Sequence, residues 1–129
     1  MKPLEYCNGI LKLIDQTLLP GEHNIVELNN YVEIADAIKN MIVRGAPAIG
    51  VTAAYGLAIA AKSINTDSKN EFFDQLKKVC DIIKSTRPTA VNLFWAVDRV
   101  YDKAVSNKDK SIEEIKELIE TEACLMEKE

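Results

Sequence analysis

The stretch PAIGVTAAYGLAIAA, running from Pro47 to about Ala61, contains no charged residue. A helix that is apolar all round has to be buried on several sides. Gly50, Ala53, Ala54, Gly56, Ala58, Ala60 and Ala61 within it allow neighbouring backbones to approach closely. A glycine inside a helix costs roughly 1 kcal/mol relative to alanine, so tight packing is the expected compensation. Pro47 suits the first turn, where its missing N–H had no partner to lose. The segment therefore predicts the central helix of a bundle, and the rest of the chain is read around it.

Upstream, the first thirty residues read as strand. Asn8-Gly9 is a two-residue hairpin signal, because a type I′ turn needs positive φ at both central positions. It separates Leu4-Glu5-Tyr6 from Ile10-Leu11-Lys12-Leu13-Ile14. Pro20-Gly21 marks a second turn before a third strand, Asn24 to Leu28. A small antiparallel sheet of this kind needs a helical layer over its apolar face. Asn30 and Glu33 form a capping-box pattern, opening a helix with Ile34, Ile38, Met41 and Ile42 on one face. Gly45 to Pro47 interrupts that helix.

Downstream, a polar loop from Ile64 to Ser68 leads to a third helix, about Lys69 to Ser85, with Phe72, Leu76, Val79, Cys80 and Ile83 as its stripe. Arg87-Pro88 breaks it, since the residue before proline avoids the α region. A fourth helix is expected from about Thr89 to Ser106, with Ala90, Phe94, Val97, Tyr101 and Ala104 inward. Ser111 and Glu114 form another capping box before a last helix carrying Ile112, Ile115, Leu118, Ile119 and Met126. The expected class is α+β: about three strands over residues 1–30, then about five helices over 31–129, in one domain.

Composition narrows the function classes. In 129 residues, 47% hydrophobic and 28% charged side chains suit a globular domain and argue against disorder. The net charge of −4 gives no electrostatic reason to expect nucleic acid or an anionic membrane. The longest uncharged run, Gly45 to Ala61, falls short of the roughly 18 residues of a membrane span. Nothing at the N-terminus resembles a signal peptide. Cys7, Cys80 and Cys124 are odd in number and far apart, which suggests neither a disulfide framework nor a zinc site. A reduced, cytoplasmic protein is the expectation.

Two junctions share a design. In Arg44-Gly45-Ala46-Pro47 an arginine and a glycine precede a helix opened by proline. In Thr86-Arg87-Pro88-Thr89 an arginine again precedes proline at a helix start. The first turn of a helix offers free N–H groups and the positive end of its dipole, which suits an anion. A guanidinium can grip two phosphate oxygens at once. If the loops face each other they form a phosphate clamp. The same spacing also fits two surface arginines paired with Asp or Glu.

The segments Met41 to Gly50 with Ala53-Ala54-Tyr55-Gly56, and Arg87 to Ala96, resemble the hallmark of methylthioribose-1-phosphate isomerases. Leu13-Ile14-Asp15-Gln16-Thr17 with Leu19-Pro20 matches a third, upstream pattern of that family. The resemblance spans nearly all of this chain but only about the first third of a family member. It implies a methionine-salvage enzyme converting 5-methylthioribose 1-phosphate to 5-methylthioribulose 1-phosphate, without metal or nucleotide. It implies substrate contacts at Arg44, Gly45, Ala46 and Arg87, chiefly to phosphate; Asn92, by its place in the first turn of the fourth helix, is a candidate to assist the Arg87 loop. The family's acid–base cysteine and aspartate lie in a Rossmann-like C-terminal domain and match no residue here, so the catalytic set of this chain is expected to be empty. Full-length members generally form homodimers.

Other residues read as structural. Cys80 belongs to the third helix's apolar stripe, and His23 is read as surface. Trp95 and Phe94 fall at helical spacing and are assigned to the core, with the lining of a methylthio pocket as their other reading. Two further functions share the pattern: isomerisation of another ribose 1-phosphate, such as ribose 1,5-bisphosphate, or a non-enzymatic initiation-factor-2B-like regulatory subunit. The paired arginines weigh against the latter.

Overall fold

The computed structural model describes residues 4–14, 25–40, 42–43 and 45–129. Three strands, β1 (Leu4–Cys7), β2 (Ile10–Ile14) and β3 (Ile25–Leu28), form an antiparallel sheet in sequence order. Asn8 and Gly9 adopt φ of 47° and 84°, the backbone that a two-residue turn between Cys7 and Ile10 demands. Pairing sets Leu4, Leu13 and Val26 in one row and Tyr6, Leu11 and Leu28 in the next. Both rows pack on the helices, while Lys12 and Glu27 face out as an ion pair. The expected turn at Pro20-Gly21, Asn24, His23 and the upstream family pattern from Asp15 on lie outside the described residues.

Five helices follow: α1 (Tyr31–Lys39), α2 (Ala46–Ser63), α3 (Lys69–Ser85), α4 (Val91–Ser106) and α5 (Ile112–Lys128). The α2 helix is the centre, packing against each of the other four. Every residue from Thr52 to Ala61 is buried. Its small residues admit neighbours as expected. A Cβ on Gly50 would lie 3.4 Å from the Asn92 carbonyl oxygen of α4, and one on Gly56 only 3.0 Å from Ile34 Cγ2 of α1.

The caps form largely as the sequence predicts. Ser111 and Glu114 exchange both bonds of the capping box. Asn30 Oδ1 accepts the Glu33 N–H at 2.9 Å, but the Glu33 carboxylate reaches the N–H of Asn29 rather than that of Asn30. The α1 helix ends at Lys39, short of the expected Ile42. Ile42 N–H bonds the Ala37 carbonyl at 3.0 Å, which satisfies one of the carbonyls left open at the helix end. That closure folds Ile42 back against the core, so an apolar residue beyond the helix imitates helical periodicity. Met41 lies outside the described residues.

The α3 stripe is buried as read: Phe72, Leu76, Val79, Cys80 and Ile83. The α4 helix corrects its expected phase. It starts at Val91, and its buried residues are Leu93, Ala96, Val97, Val100 and Ala104. Phe94 and Tyr101 sit half-buried on its flank toward α3, where Tyr101 meets Phe73 edge-on at 6.4 Å. Because α2, α3 and α5 all press on α4, its apolar arc is wide and its centre is hard to place from spacing. In α5 the buried set is Ile115, Ile119 and Ala123.

A polar seam joins sheet, α2 and α5. The Tyr6 and Tyr55 rings stack at 4.3 Å and 14°. Tyr6 donates its phenolic hydrogen to Glu120 and Tyr55 donates to Glu127. Lys62 pairs with Glu120 at 3.1 Å. Burial, reinforced by these carboxylate bonds, pushes both phenols well above their ordinary range.

Candidate functional site

The chain enters α2 through Gly45, whose φ of 91° and ψ of 130° suit a residue without Cβ. No side chain caps this helix start. The Gly45 carbonyl accepts the Ile49 N–H at 3.0 Å, so the amides ahead of Ile49 have no acceptor within the helix. Pro47 has none to offer. The mouth of α2 thus presents backbone donors at an exposed glycine. Ala46 is the first residue of the helix. Arg44 lies outside the described residues.

The second junction differs from its reading in one respect. Thr86 caps α3, and Arg87 to Ala90 form a turn closed by the Ala90 N–H on the Arg87 carbonyl at 3.0 Å. Helix α4 therefore starts one turn after proline rather than at it, because Ala90 supplies the carbonyl for the Leu93 and Phe94 N–H groups. Asn92 is in the first turn of α4, as expected. Arg87 is half-buried, and its Nη1 is fully buried with no hydrogen-bond partner. The other such side-chain atom among the described residues is Thr52 Oγ1, inside the core. A buried guanidinium nitrogen left without an acceptor is costly, and groups of this kind call for a ligand or water.

The two junctions share one end of the bundle. Gly50 packs on the Asn92 carbonyl and Ala96, which sets the first turns of α2 and α4 side by side. Between them and α5 lies a cavity of about 440 Å³, lined by Pro47, Gly50, Asn92, Trp95, Arg99 and Met126 among others. On α4 the lining residues Asn92, Trp95, Ala96 and Arg99 follow helical spacing, on a face that adjoins the core stripe at the buried Ala96. Trp95 is 69% exposed on this rim, which overturns its assignment to the core. Registering α4 on Leu93, Val97, Val100 and Ala104 instead of Phe94 and Tyr101 places Trp95 off the buried arc.

The one described cation in the cavity is already engaged. Arg99 Nε donates to Glu122 at 2.7 Å, and its two terminal nitrogens donate to Glu129 at 2.8 and 2.6 Å. These bonds, to Glu129 first and then Glu122, hold the Arg99 guanidinium protonated and draw the Glu129 carboxyl below its ordinary range. Elsewhere, burial pushes the Cys80 thiol up to about 12, in keeping with a core role. Cys7 is exposed and Cys124 half-buried. Among the described residues no group of three potential metal ligands occurs, and no helix is long and apolar enough to cross a membrane.

Residues 42–129 match the profile of the Initiation factor 2 subunit family. The chain is 84% identical over 129 residues to a methylthioribose-1-phosphate isomerase of Acetivibrio thermocellus, covering all of itself and 38% of that relative. It is 45% identical over 128 residues to the isomerase of the same name from Geobacter sulfurreducens, covering 99% of itself and 37% of that protein. The crystal structure of 5-methylthioribose 1-phosphate isomerase from Pyrococcus horikoshii superposes with a TM-score of 0.93 at 44% identity, over 97% of this chain and 35% of that one. A structure from A. fulgidus described as translation initiation factor eIF-2B, subunit delta, gives a TM-score of 0.88, also at 44% identity, over 98% and 36%. The chain thus spans little more than a third of the length of these relatives.

Proposed function

The chain belongs to the Initiation factor 2 subunit family, and we propose that residues 1–129 are the N-terminal, phosphate-gripping unit of a methylthioribose-1-phosphate isomerase. The observation that carries this reading is Arg87 Nη1, buried and partnerless at the end of the bundle where α2 presents its open first turn. Arg44, Gly45, Ala46 and Arg87 hold the ester phosphate, and Asn92 supports the Arg87 side. The identity of 84% to an isomerase of that name supports the substrate.

In this reading the unit contributes orientation. Fixing the phosphate sets the sugar against a second, catalytic unit and removes the entropy cost of finding that pose. The setting is the cytoplasm and the pathway methionine salvage, with full-length chains paired as homodimers. No residue of this chain is assigned proton transfer, so the 129 residues alone bind substrate without turning it over. The eIF-2B subunit shares the fold at a TM-score of 0.88; an anion-seeking arginine at the helix mouths favours the enzyme.

Calorimetric titration with 5-methylthioribose 1-phosphate tests the proposal. One saturable site is expected. Arg87→Ala and Arg44→Ala each weaken it about tenfold to hundredfold, since a hydrogen bond to a charged group contributes roughly 1.5–3 kcal/mol. Unchanged affinity in both variants would refute the clamp, and turnover by the 129 residues would refute the division of labour.

A further inference from the structure

The far end of the α3–α4 pair holds a second cavity, remote from both helix mouths. It lies where α3 begins and α4 ends, and it is lined by Lys69, Asn70, Phe73, Tyr101, Val105 and Lys108. Its volume of about 490 Å³ falls in the range of small-ligand pockets. Arg87 and Asn92 stand at the opposite end of the same two helices. The 17 residues of α3 set the two places roughly 25 Å apart. No single sugar phosphate reaches both.

The lining is divided by chemistry. At its inner end Phe73 and Tyr101 meet edge-on at 6.4 Å and, with Val105, form an apolar floor. All three are half-buried, so part of that floor still faces solvent and has area to lose to a ligand. At the outer end stand Lys69, one helical turn before Phe73, and Lys108, just past the end of α4. Both lysines are exposed, and neither forms an ion pair with a described residue. Asn70 adds an amide at the same end, and no carboxylate is among the lining residues. Burial first, and then nearby negative charge that includes Asp74 and Asp102, raises the Tyr101 phenol above its ordinary range. Tyr101 therefore stays neutral. An anionic group is drawn to the lysine end, and an apolar group to the floor.

We propose that this cavity binds a small aromatic monoanion, an aryl-substituted carboxylate in class, with its ring on Phe73, Tyr101 and Val105 and its charge between Lys69 and Lys108. Two ammonium groups at one end suit a ligand with a single anionic head. A sugar phosphate, polar along its whole length, gains nothing from the floor. The site differs from the phosphate clamp in place and in ligand, and it does not rest on the function proposed above.

The probe is 3-phenylpropionate, titrated into the native chain and followed by backbone-amide NMR. The comparisons are 3-phenylpropan-1-ol, which keeps the ring without the charge, and acetate, which keeps the charge without the ring. One saturable site is expected, with shifts in the amides of Lys69, Asn70, Phe73, Tyr101, Val105 and Lys108. The alcohol and acetate each bind at least about tenfold more weakly. The double variant Lys69→Gln with Lys108→Gln, altered only at exposed side chains, loses about tenfold for 3-phenylpropionate and keeps its affinity for the alcohol. Arg87→Ala binds the probe as the native chain does. Acetate binding as tightly as 3-phenylpropionate, an undiminished affinity in the double variant, shifts centred on Gly45 and Asn92, or no saturable binding at all each overturns the proposal.

Discussion

Gly56 and Gly50 lie on one helix and face different neighbours, and the contrast decides what a single methyl does at each. At Gly56 an added Cβ lands 3.0 Å from Ile34 Cγ2 and 3.2 Å from Ile83 Cδ1, both on fully buried side chains. Overpacking of this kind costs roughly 1–3 kcal/mol, more than the roughly 1 kcal/mol that alanine returns in helix propensity. At Gly50 the nearest atoms are at 3.4 and 3.5 Å, close to ordinary contact, so the propensity gain prevails. Urea unfolding should show Gly56→Ala destabilised by about 0.5–2 kcal/mol and Gly50→Ala unchanged or stabilised by up to about 1 kcal/mol. The reverse order would mean that the α1–α2–α3 contact is looser than described. The sequence announces small residues on α2 without saying which of them are obligatory, because that depends on the partner helices.

At the scale of elements, the attachment of the sheet to the bundle rests partly on the Tyr6–Tyr55 stack and its two carboxylate acceptors on α5. Both phenols have their pKa raised by burial first and by those acceptors second. The folded state therefore favours the neutral phenol, and the stability this contributes is complete below the unfolded value near pH 10 and declines as pH rises above it. Melting temperature should fall between about pH 10 and 11.5, and Tyr55→Phe should show a shallower fall relative to its own value at neutral pH. Identical slopes would remove Tyr55 from the linkage. Nothing in the spacing of Tyr6 and Tyr55 announces this pairing, since it joins a strand to two helices. Element identities were legible from local signals: Asn8-Gly9 for the hairpin, Ser111 with Glu114 for α5, and the α3 stripe from Phe72 to Ile83. Phase was less so. Helix α4 is pressed on three sides, and Ile42 continues an apolar rhythm after its helix has closed.

For the molecule as a whole, the order of strands then helices and the central place of α2 follow from composition, because a helix without charge has only the interior to occupy. The site was half legible. The helix mouths at Gly45 and near Arg87 were visible as Gly-x-Pro and Arg-Pro junctions, and the structure sets α2 and α4 side by side at that end. Spacing assigns Trp95 to the core, with a pocket lining as its other reading, and does not single out Arg99, because a helical face that lines a cavity looks like a face that fills a core. The central claim is that both mouths bind one phosphate ester. Backbone-amide NMR during titration with 5-methylthioribose 1-phosphate tests it most directly. The account predicts that the amides of Gly45, Ala46 and Ala48 and those of Arg87 and Thr89 through Asn92 shift together on one saturation curve. Shifts confined to one junction, or to the opposite end of the helices, would contradict it.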